Sequence, residues 1–94
     1  MRSGLVTYLA SKLGETTSQV KSAIMKAATG AYRMAKQEIG APRLHRSAYF
    51  AFLKHALPMA WKIAREEHRL PTAEEVFKAV TEEWPNWKEE LSKF

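Results

Sequence analysis

Residues 45–58 read HRSAYFAFLKHALP, and the assignment of this stretch decides the fold. Tyr49, Phe50 and Phe52 fall within four positions, just behind Arg43 and Arg46. Apolar residues recur at helical spacing through Tyr49, Phe52, Leu53, Ala56 and Leu57. The same period continues past Pro58 through Ala60, Ile63 and Ala64. Proline inside a helix removes one backbone donor and crowds the preceding turn. The spacing therefore predicts one kinked helix over residues 47–68. On that helix Phe50 lies about 100° from Tyr49, on the rim of the apolar face and in line with Trp61. Tyr49 and Phe52 belong to the core by periodicity, and Phe50 is left over.

Working outward, helical periodicity dominates, and no alternating strand run or hairpin turn signal interrupts it. A first helix is expected over about 5–13, stopped by Gly14. A second starts at Thr16, Thr17 or Ser18 and runs to about Ile39, where Gly40, Ala41 and Pro42 end it. Its apolar stripe is Val20, Ile24, Ala27, Ala31 and Met34, with Lys21, Lys26, Arg33 and Lys36 on the other side. Gly30, at the edge of the alanine-rich face, permits close approach of another helix, or a kink. The string TAEE at 72–75 reads as a capping box, with Thr72 as N-cap and Glu75 reaching back. It opens a helix over 72–84 whose inner face is Val76, Phe77, Val80 and Trp84, stopped by Pro85. A short last helix begins near Trp87, with Asn86 as its cap. The expected fold is all-α: a basic helical hairpin arm at 1–40 and a three-helix unit at 41–94, together one compact unit.

The chain has 94 residues, no cysteine and a formal charge of +5. Length limits it to one domain. The lack of cysteine excludes disulfides and thiolate metal sites and fits a reducing compartment. No apolar run approaches a membrane span of about 20 residues. Residues 1–47 hold eight Lys and Arg against two Glu, whereas residues 48–94 hold seven against eight. Such asymmetry points to a polyanionic partner. His45, His55 and His68 are spaced by ten and thirteen residues, with no i,i+4 pair and no cysteine or aspartate companion, so no metal is expected. Adjacent glutamates diverge on a helix, and there is no phosphate loop or nucleophile elbow, so no enzyme activity and no cofactor are expected.

Here PRLHRSAYFAFL (42–53), Pro58 and PTAEEVFKAVTEEW (71–84) together resemble a high-mobility-group box, with Pro42, Ser47, Ala48, Tyr49, Phe50, Phe52, Pro58, Thr72, Val76 and Trp84 in matching places. The basic-SAY-x-x-F opening and the late tryptophan are also similar to the short variant in plant YABBY transcription factors. The resemblance covers residues 41–94. It departs from the family in a longer 58–72 segment, in an acidic region after Trp84, and in lacking the long basic third helix. It implies double-stranded DNA as partner, a nuclear or virion-associated location, and minor-groove binding and bending of low sequence specificity. Phe50 then takes the place of the family's intercalating side chain, Ser47 meets the groove floor, and Arg43 and Arg46 meet phosphates. With Lys21, Lys26, Arg33 and Lys36, these residues form the expected DNA-binding set.

Two other readings remain. Ala10, Gly14 and Val20 have helix-turn-helix spacing, which would turn Ser18, Gln19, Lys21 and Ser22 toward a major groove; a plain helical hairpin has the same spacing. The chain also reads as a structural or interaction protein of a larger assembly, such as a viral particle or ribonucleoprotein. There a protein partner or second copy would cover the alanine-rich arm, Phe50 and Trp61.

Overall fold

The structure is a computed structural model that describes residues 4–40 and 44–94. Five α-helices account for the fold: α1 (Gly4–Leu13), α2 (Thr17–Ile39), α3 (Arg46–Glu67), α4 (Ala73–Glu83) and α5 (Trp87–Ser92). No strand occurs among the described residues.

Local chemistry explains the boundaries. Gly14 takes a left-handed φ of 69° that glycine adopts without penalty, and the Glu15 N–H closes α1 by donating to the Ala10 carbonyl at 2.9 Å. Thr16 is then the cap of α2. Its Oγ1 accepts from the Gln19 N–H at 3.1 Å, while Gln19 Oε1 accepts from the Thr16 N–H at 2.8 Å. Gly40, at φ 77°, ends α2 by donating to the Lys36 and Gln37 carbonyls. The same reciprocal cap opens α4, between Thr72 and Glu75. The third helix starts differently: His45 is its cap, and Nδ1 accepts from the Ser47 N–H at 3.0 Å.

α3 passes through Pro58 as one continuous helix and ends at His68, which adopts φ 54°. At α5 the expected cap is absent, since the Asn86 side chain makes no capping hydrogen bond.

α2 is the hub and packs against each of the other four helices. Its Val20, Ile24, Ala27, Ala28, Ala31 and Ala35 are buried. They meet the buried Val6 and Leu9 of α1, Phe52, Ala56 and Ala60 of α3, Val76 and Val80 of α4, and Leu91 of α5 in a single core. Met34, expected in the α2 stripe, is half-buried at its edge. The core therefore joins residues 4–40 to residues 44–94. It also removes the alanine-rich face as a surface for a partner: those alanines are spent inside the protein's own bundle. Trp61 is likewise half-buried against the core.

At Gly30, an added Cβ would lie 2.8 Å from the Ala73 Cβ. Here the first turn of α4 crosses α2, and the glycine lets it come close.

Trp84, expected on the inner face, is half-buried and packs against the core. It caps α4 with φ −130° and ψ 73°, because the residue before a proline is pushed out of helical geometry. Its ring stacks on His55 of α3 at 4.1 Å between centroids. Phe77 is half-buried and meets Trp87 edge to face at 5.5 Å.

Candidate nucleic-acid interface

The first turns of α3 set out the central feature. Within one helix, buried and exposed aromatics are separated by angle alone: Phe52 is fully buried, and Phe50 is 56% exposed. Tyr49 lies between them, half-buried, with its ring 5.0 Å from Tyr32 of α2 and 5.5 Å from Phe50. Burial, and then the neighbouring Tyr49, push the Tyr32 hydroxyl above its usual range, so it remains neutral. Lys36 completes the chain, with Nζ 5.9 Å from the centre of the Tyr32 ring. Lys36, Tyr32, Tyr49 and Phe50 thus form a continuous chain of contacts from the end of α2 to the start of α3.

Beside Phe50 runs a groove. Ser47, Phe50, Ala51, Lys54 and His55 of α3 form one wall, with Trp84, Glu90 and Phe94 opposite. Phe94 is 53% exposed, so two apolar rings flank the groove. Lys54 and His55 also line a second groove with Pro58, Met59, Lys62, Arg65 and Glu83. The outward side of α3 therefore carries Phe50, Lys54, Lys62 and Arg65 in succession, all exposed. Lys54, Lys62 and Arg65 lie outside the expected DNA-binding set, although their positions one and more turns beyond Phe50 are legible in the sequence. His45, Trp84 and Phe94 carry no comparable sequence signal: their places depend on how α3, α4 and α5 meet.

The expected DNA-binding residues do not form one surface. Lys36, Arg46, Ser47 and Phe50 gather where α2 ends and α3 begins. Lys21, Lys26 and Arg33 project from the outer side of α2. Lys21 and Lys26 share a shallow depression with Ser22 and Met25 there. The separation is geometric, since the buried stripe of α2 is turned toward α3 and its cations point elsewhere. Arg43 lies outside the described residues. As for the helix-turn-helix reading, Ser18, Gln19, Lys21 and Ser22 are exposed, but the Gln19 side chain is engaged in the Thr16 cap.

Among the described residues, no group of three or more His, Asp or Glu side chains is placed to hold a metal ion. No described helix is long and apolar enough to cross a membrane. No protein-family model, curated protein or solved structure matches the chain.

Proposed function

We propose that this protein binds double-stranded DNA without catalysis, entering the minor groove with Phe50 and bending the duplex with little sequence preference. One observation carries the reading: Phe50 stands 56% exposed at the start of α3, with Arg46, Ser47 and Lys54 around it. An apolar ring held in water costs free energy, and a cationic surround suits a polyanion. In the minor groove such a ring unstacks a base step at a cost of a few kcal/mol, and the bend brings more backbone against the protein. Phosphate contacts position a protein without reading sequence, and Ser47 is the one small hydrogen-bonding group beside the wedge, so weak specificity follows. The resemblance to a high-mobility-group box, and to its short YABBY-like form, supports the same role for Phe50 and an architectural or transcription-regulating task.

The test is a titration of labelled duplex at several salt concentrations, with bending followed by energy transfer between its ends. Affinity should fall with salt at a logarithmic slope of about −0.9 per phosphate engaged. Phe50→Ala should keep the helical spectrum and most of the affinity but lose the bend. Absence of binding at low salt sinks the reading, and unchanged bending in Phe50→Ala removes the wedge from it.

The second reading, an interaction protein within a larger assembly, is favoured by Phe94. With Phe50 it flanks a groove also lined by Ala51 and Trp84, a shape that also accepts an apolar side chain from a protein. Stable self-association without DNA affinity would favour it.

A further inference from the structure

We propose that one molecule bridges two DNA duplexes, one held on the outer face of α2 and the other on the outer face of α3. The inference rests on the DNA-binding reading above and adds a second duplex to it.

The α2 face is unusual in its charge. From Thr16 to Gln37 the sequence has four cations and no carboxylate. Lys21, Lys26 and Arg33 are exposed along it, interleaved with Ser18, Ser22 and Met25. None of the three cations makes an ion pair among the described residues. Glu15 stands at the N-terminal edge, in a depression shared with Ser18, Gln19, Ser22 and Lys26. From Lys21 to Arg33 the face spans about 18 Å at 1.5 Å per residue, enough to follow several phosphates.

The α3 face is built otherwise. Arg46, Lys54, Lys62 and Arg65 extend over about 28 Å by the same rise. Glu83 and Glu90 oppose them from the far wall of the grooves. This face combines fewer net charges with an apolar wedge.

The two surfaces share no residue: by helical angle Lys26 and Arg33 stand opposite the buried Ile24, Ala28, Ala31 and Ala35 of α2, and Lys54 and Arg65 stand opposite the buried Phe52, Ala56 and Ala60 of α3. The molecule measures 41 × 21 × 21 Å. That thickness exceeds the Debye length of about 8–10 Å in dilute physiological salt. A duplex neutralising one face therefore leaves the attraction of the other nearly intact. Two duplexes satisfy both sets of cations without further bending.

The experiment loads the full chain onto an immobilised duplex, washes, and offers a free fluorescent duplex. The wild type should capture the second duplex. Lys26→Glu combined with Arg33→Glu should still bind the immobilised duplex but capture less of the second, by on the order of tenfold. Both positions are exposed, so the helical spectrum should be unchanged; Lys26→Gln with Arg33→Gln serves if it is not. The proposal is overturned if the wild type holds the first duplex and captures no second. It is equally overturned if the variant captures as the wild type does, or if capture occurs only where sedimentation shows the protein self-associated without DNA. No retention on the immobilised duplex at low salt overturns the DNA-binding reading itself, and the bridge with it.

Discussion

Glu75 serves two structures at once. It is the reciprocal partner in the cap of α4, where Oε1 accepts from the Thr72 N–H at 2.9 Å. It also pairs with Arg69, whose Nη1 donates to Oε1 at 2.8 Å and whose Nη2 donates to Oε2. The Arg69 hydrogen bond, followed by the Thr72 backbone, lowers the Glu75 carboxyl from 4.5 to about 2. A depressed carboxylate stabilises the fold fully above its unfolded value and loses that contribution as pH falls toward the folded one. Part of the wild-type stability should therefore vanish between about pH 4.5 and about pH 2. Glu75→Gln should melt lower near neutrality and show a smaller loss across that window, read as the difference between melting temperatures of the two proteins along an acid series. Equal slopes would assign the acid sensitivity to the other glutamates. At this scale the sequence was informative: helical angle separated Phe52 from Phe50, and the TAEE string located the cap. It was silent on Arg69, because that contact depends on the left-handed turn at His68.

Among elements, the crossing of α2 and α4 is the most exacting. Alanine normally favours a helix over glycine by about 1 kcal/mol, so Gly30→Ala would stabilise an unencumbered α2. Here the new Cβ meets Ala73 at 2.8 Å, and neither atom can rotate away. Overpacking of this kind costs about 1–3 kcal/mol. Gly30→Ala should therefore lower the melting temperature, whereas Gly30→Ala with Ala73→Gly should recover most of the loss. Failure of the second change to rescue would mean that the helices are not in close contact there. The sequence disclosed that Gly30 admits a neighbour, but not which one. Trp84 is the complementary case. Periodicity places it inward, and it does pack half-buried against the core, but its stacking on His55 is not visible on a helical wheel.

For the whole molecule, the helix count and nearly all the boundaries were legible, because each depends on caps and periods within a few residues. The relation between faces was not. A helical wheel orders side chains around one axis and says nothing of how two axes are turned, so Lys26 and Arg33 could not be separated from Arg46 and Phe50 until the bundle was assembled. Assembly also makes α2 indispensable. A fragment of residues 41–94 lacks Val20, Ile24, Ala28 and Ala31, the wall on which α3 and α4 rest. It should show little helical signal and no cooperative melt, and adding residues 1–40 should restore both. Independent folding of that fragment would show that the core divides.

The hub position of α2 has a consequence for the order of events on the ribosome. α2 leaves the exit tunnel before α3 and α4, its largest partners, have been made. A leucine stripe waiting in that state would attract other nascent chains, as transiently exposed hydrophobic surface does. Four of its buried residues are alanines, Ala27, Ala28, Ala31 and Ala35, which expose less apolar area while they wait. The chain can therefore remain open without becoming adhesive, and it closes when Ala73 emerges to settle over Gly30 and Val76 and Val80 follow it into the core.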